Sequence, residues 1–155
     1  MTQENNSLHS YIRDGLVDLK EVLARLDAIH RAITRAKGRI HYLMQGAQRA
    51  NSRLTPVRYG RGVETSRIEH AVLESEAERW GIKELESERD SILQMVRPLV
   101  ERLPAGLLRA VATQRILDGI PCGIIARRMH YSRSYIYRLL DEAGERMNQI
   151  HQNSK

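Results

Sequence analysis

The sequence predicts an all-α protein: a long antiparallel, coiled-coil-like helical hairpin over residues 8–103, followed by a helix-turn-helix unit over 104–147. Three observations predict it. Apolar residues recur every three or four positions along most of the 155 residues, the spacing of one helical face. Aromatic residues are 5% of the chain, with no Phe, while charged residues are 28%, a balance that suits long solvent-washed helices better than a thick core. Glycine and proline break the helical spacing at 45–65, and Pro104, Gly119 and Pro121 punctuate shorter helices further on.

The first helix is expected from Leu8 to Met44, after a frayed start. Ile12, Leu16, Leu19, Leu23 and Leu26 follow one rhythm, and Val22, Leu26, Ile29, Ile33, Ala36, Ile40 and Leu43 follow another, so the seam rotates slightly around the helix. A narrow stripe on so long a helix needs a partner. Residues 45–65 read as a basic loop, in which Arg58-Tyr59-Gly60-Arg61-Gly62 could touch nucleic acid or could be plain solvated linker. Ser66-Arg67-Ile68-Glu69 has the pattern of a capping box and places the next helix start near Arg67. The stripe of that helix is read through Ile68, Val72, Ala77, Trp80, Ile82, Leu85, Ile92, Val96, Leu99 and Leu103, with a kink or break near Arg97 because Pro98 lacks an amide donor. Glu74, Glu76, Glu78, Glu84, Glu86 and Glu88 would face the cations of the first helix in a hairpin, or form a solvated face. Pro104 opens a third helix, Ala105 to Leu117, closed by Gly119.

The stretch from Asp118 to Arg146 carries the function. Ile124, Ile125, Ala126 and Met129 form one apolar side of a short helix, and small Ala126 lets another helix approach closely. Met129-His130-Tyr131-Ser132 is a tight corner, with Ser132 as N-cap of a second helix over 133–144. Ile136, Leu139, Leu140, Ala143 and Met147 give its buried face, and Arg133, Ser134, Tyr137 and Arg138 fall on the opposite side. This is the layout of a DNA-reading helix-turn-helix, whose second helix enters the major groove. Arg133, Ser134 and Tyr137 are the expected base readers, while Arg127, Arg128, Ser132 and Arg138 would hold phosphates. Residues 148–155 read as a tail.

Charge supports an anion-seeking end. Residues 1–62 carry +6, 63–103 carry −4, and 104–155 carry +4. The single Cys122 excludes an internal disulfide and suits a packing role. No apolar run approaches a membrane span, and a cytoplasmic protein associated with the nucleoid is expected. The six histidines are scattered without ligand spacing, and no phosphate loop or nucleophile constellation is present, so neither a metal, a cofactor nor an enzyme is expected.

The run Gly119…Ile125-Ala126…Met129…Tyr131-Ser132…Ile136-Tyr137-Arg138-Leu139…Ala143, within Leu107 to Met147, resembles the small phage-encoded transcription regulators of the RinA- and ArpU-like type. Their C-terminal unit is similar to the promoter-reading helix-turn-helix of sigma factors. Pro121 stands where that pattern has Ser or Thr, and His130 where it has Gly. The resemblance implies a phage or prophage regulator of late genes that binds double-stranded DNA near a promoter. The helical hairpin is expected to make a homo-oligomer, a dimer first, and a third reading is a protein-interaction module whose second helix binds a partner protein such as host RNA polymerase. A small terminase subunit, which joins a helix-turn-helix to a ring-forming helical part in DNA packaging, is the alternative.

Overall fold

The computed structural model describes residues 12–13, 16–52 and 61–153. Among the described residues the chain is all-α, apart from a two-residue antiparallel pair, β1 (Ile12–Arg13) and β2 (Leu16–Val17). Five α-helices follow: α1 (Leu19–Ser52), α2 (Arg61–Glu101), α3 (Leu107–Ala112), α4 (Cys122–Met129) and α5 (Arg133–Gln152). The expectations for residues 1–11, and for Arg58 to Gly60, lie outside the described residues. Among the described residues, no helix is long and apolar enough to cross a membrane.

Helix α1 starts at Leu19 rather than Leu8, because Asp18 caps it. The Asp18 carboxylate accepts from the amides of Lys20 at 3.0 Å and Glu21 at 3.1 Å. The helix also continues past Met44 to Ser52. Gln45, Ala47, Gln48 and Arg49 favour helix, and one glycine costs only about 1 kcal/mol, so Gly46 does not end it. Helix α2 begins at Arg61, which leaves Ser66 and Glu69 inside it rather than at its cap. It passes through Pro98 to end at Glu101.

By compactness the chain forms two units, residues 28–88 and residues 1–27 with 89–155. These boundaries fall within α1 and α2, whereas the sequence reading placed one at 103/104. Residues 28–88 form an antiparallel hairpin. Ile29, Ile33 and Ala36 of α1 are buried, together with Ala71, Ser75 and Ile82 of α2. The α1 seam is the predicted one. The α2 seam is the predicted one only in part: Ile68, Ile82, Leu85 and Ile92 lie on it, but Val72, Ala77 and Trp80 are exposed. Counting 3-4 back from Ile92 gives Arg89, Leu85, Ile82, Glu78, Ser75, Ala71 and Ile68, and this heptad line is the buried or half-buried one. Arg39 and Glu78 join the two arms in a bidentate pair at 2.5 and 2.7 Å. The hydrogen bond to Arg39 holds the Glu78 carboxyl below its usual range, against the small effect of desolvation.

The other unit is built around α5. Val111, Cys122, Ile125, Ala126, Ile136, Leu139 and Leu140 form one buried cluster from α3, α4 and α5. The start of α1 lies on the far end of α5: an added Cβ at Gly144 would touch the Leu19 side chain at 3.4 Å, and the Val17 amide donates to Asn148 Oδ1 at 2.7 Å. Residues 148–152 are therefore helix with a partner, not a tail. Arg115, 11% exposed, donates to Asp27 at 2.6 Å. Burial works against its charge, but the Asp27 hydrogen bond and charge outweigh that and raise its pKa.

Candidate nucleic-acid interface

The third helix expected over 105–117 begins at Leu107, after Gly106 at φ 138°, and relaxes into a π-type turn over Thr113–Leu117. The Asp118 amide reaches back five residues to the Thr113 carbonyl at 3.1 Å. Gly119, at φ 68°, then reverses the chain in the left-handed region that favours glycine. Pro121 opens α4 in extended geometry (φ −61°, ψ 140°), with its carbonyl accepting from Ile124 and Ile125. Pro121 has no side-chain hydroxyl, so the first turn has no side-chain cap. Cys122, Ile125 and Ala126 anchor the helix in the cluster below.

The corner is a Schellman turn. The Tyr131 amide donates to the Ala126 carbonyl at 2.9 Å and the His130 amide to that of Arg127 at 3.4 Å. His130 takes the left-handed conformation (φ 59°, ψ 36°) in the place where glycine was expected. Holding a Cβ there costs roughly 1–2 kcal/mol. Ser132 then caps α5, its Oγ accepting from the Tyr135 amide at 3.2 Å. The hydroxyl proton stays free to donate outward.

Every residue placed on the buried face of α5 is buried: Ile136, Leu139, Leu140, Ala143 and Met147. Arg127, Arg128, Ser132, Arg133, Ser134, Tyr137 and Arg138 are all exposed. They share the outer side of the α4–α5 corner, but not all extend freely. Arg127 Nε donates to the Gly123 carbonyl of its own helix at 3.3 Å. The Arg133 guanidinium lies back over α4: a Cβ added at Gly123 would fall 2.8 Å from Nη2 and 2.9 Å from Nε. The absence of a side chain at Gly123 gives that guanidinium its place. Arg133 reaches away from the surface only by leaving it.

Two residues outside the expected set belong to this surface. The rings of Tyr131 and Tyr135 stand 5.0 Å apart at 44°, and Arg138 Cζ lies 5.6 Å from the Tyr135 ring centre. Tyr131, in the turn, is 45% exposed and packs on Tyr135 in the first turn of α5. The spacing 131, 135, 138 puts all three near one line of a helix and its cap, a signal available from the sequence.

Six arginines fall within 104–140, and the structure sorts them. Arg109 donates to the Leu103 carbonyl and Arg115 to Asp27, both within the unit. Arg127, Arg128, Arg133 and Arg138 remain on the outer surface, and the first turn of α5 contains no carboxylate. The positive end of the helix dipole and these guanidinium groups thus point to the same requirement, an anion. The later half of α5 differs: Asp141 meets Lys20 at 3.4 Å and Glu142 meets Arg146 at 2.9 Å, so two of its carboxylates are matched. No protein-family model, curated protein or solved structure matches the chain.

Proposed function

We propose that this protein binds duplex DNA in a sequence-dependent way and regulates transcription, with the first half of α5 entering the major groove. One observation carries the reading: Arg133, Ser134, Tyr137 and Arg138 lie uncovered on α5 while its apolar side is closed under α3 and α4. Arg133, Ser134 and Tyr137 meet base edges, Arg133 as a two-toothed donor to guanine and Tyr137 against a thymine methyl. Arg127, Arg128 and Arg138 hold phosphates, and the free hydroxyl proton of Ser132 donates to one at the helix start. The Tyr135 ring, 5.6 Å from Arg138 Cζ, restricts the guanidinium on this surface. A regulator of phage or prophage late genes, the class implied by the resemblance above, uses such a reader without any enzymatic step.

The test is an electrophoretic titration of the full chain against a duplex selected from a random pool and against random duplex. Arg133→Ala weakens the selected duplex by about 1–3 kcal/mol and random duplex much less. Arg128→Ala weakens both alike and lowers the salt slope by about one unit. Equal losses on both duplexes for Arg133→Ala would remove base reading from the proposal.

A further inference from the structure

Helix α2 carries two apolar stripes, and the hairpin covers only one. The covered stripe is the seam through Ala71, Ser75 and Ile82. The other is Val72, Leu73, Ala77 and Trp80, with Leu73 and Trp80 each 66% exposed and one heptad apart. Scattered exposed apolar residues are ordinary, but a contiguous set around a tryptophan marks a contact surface.

This stripe borders an open groove between the two arms. Arg35, Gly38, Arg39 and Tyr42 line it from α1, and Glu74 and Ala77 from α2. The space is unfilled: an added Cβ at Gly38 meets nothing within 4 Å. Tyr42 stands 78% exposed at its edge.

Charge identifies the occupant. Residues 28–52 contain five cations and no carboxylate, while residues 67–88 contain seven glutamates and three cations. Arg39 is matched by Glu78 within the chain. Among the described residues, Arg31 and Arg35 on one arm, and Glu76 and Glu84 on the other, make no ion pair. Glu76 and Glu84 flank Trp80 one helical turn away on either side. A second copy related by a two-fold axis brings the basic arm of each molecule against the acidic arm of the other, and does so twice.

We infer that residues 28–88 form a homodimer surface, in which the Leu73–Trp80 stripe of each copy seats in the groove of the other and Glu76 and Glu84 face Arg31 and Arg35. The contact is made without DNA, so it stands or falls separately from the reading of α5.

Sedimentation velocity of the full chain over a concentration series tests it. Wild type sediments as a dimer that weakens with salt. The pair Arg31→Glu with Arg35→Glu, and separately the pair Glu76→Lys with Glu84→Lys, each raise the dimer dissociation constant roughly tenfold or more, because each reversal counts twice. An equimolar mixture of the two restores dimer as the heterodimer. Trp80→Ser yields monomer with wild-type helical circular dichroism, and it remains the deciding variant should a charge-reversed chain fail to fold. A monomeric wild type, a ring of eight or more copies, or a Trp80→Ser protein that still dimerises would each overturn the inference; so would two folded charge variants that dimerise alone as well as mixed.

Discussion

The unit built around α5 and the hairpin of residues 28–88 bury apolar side chains in different ways. In the first, α3, α4 and α5 converge on one cluster, and the start of α1 closes the end of α5 at Gly144, so apolar side chains find cover on several sides. In the hairpin two helices share one seam, and a side chain on the opposite side of its helix stays in water. Trp80 is 66% exposed there, although it is the largest apolar residue in the chain. Convergence of three helices closes a core; two helices close only a line.

The ion pairs repeat the contrast. Asp27–Arg115 ties α1 to the helical turn after α3, with the Arg115 side chain 11% exposed. Arg39–Glu78 bridges the hairpin with the Arg39 side chain 56% and the Glu78 side chain 27% exposed. Burial makes a guanidinium depend on its partner, whereas exposure leaves water as a substitute.

Five variants would break or sharpen this comparison. The largest effect is expected at Ile136, wholly buried in the three-helix cluster, where Ile136→Ala lowers stability by about 3 kcal/mol in urea unfolding. Leu73→Ala, on the open stripe, stays within about 0.5 kcal/mol of wild type when measured in dilute protein. A large loss at Leu73 would mean that the hairpin covers more than its seam. Next is Asp27→Asn, which leaves the half-buried Arg115 without its charged acceptor and costs about 1–2 kcal/mol, the exposure of Asp27 keeping it near the lower figure. A neutral outcome would make the two ion pairs equivalent.

His130→Gly relieves the left-handed conformation at the corner but loosens the unfolded chain, for a net gain of about 0.5–1 kcal/mol in thermal unfolding. A loss there would assign the His130 ring a packing role. The smallest effect is a pH dependence in the hairpin. Because the pKa of Glu78 is depressed in the folded chain, its stabilising contribution is complete above the ordinary glutamate pKa and is lost as pH falls through the lowered folded value. The difference in melting temperature between wild type and Glu78→Gln should therefore be present at neutral pH and vanish on acidification. A difference independent of pH would show that the carboxylate charge is not its source.

Much of the α4–α5 corner was legible in the sequence, down to its buried residues. Ile136, Leu139, Leu140, Ala143 and Met147 are aliphatic or small at every seam position, and Ser132 marks the start of the helix with its own hydrogen bond. The seam of α2 was harder because Ser75, Glu78 and Arg89 occupy it, while Val72 and Trp80 stand beside it. Ser75 fits because its hydroxyl donates to the Val72 carbonyl one turn back, and Glu78 and Arg89 keep their charged ends near water. Spacing, not the hydropathy of single residues, chose the face. The start of α1 was legible as well: Asp18 and Glu21 have capping-box spacing, but the earlier apolar rhythm through Ile12 and Leu16 concealed it. The Tyr131–Tyr135–Arg138 contacts were readable only as a spacing.

By itself, the sequence determined the helical class, the α4–α5 corner and which side of α5 is apolar. These follow from local periodicity, caps and turn residues acting within a few positions of one another. Tertiary structure alone decided which of two stripes on α2 is covered, that Arg115 belongs to Asp27 rather than to the outer surface, and that the Arg133 guanidinium rests over Gly123. Those outcomes depend on which surfaces distant segments bring together, and the free energy of burial belongs to a pair of surfaces rather than to either one.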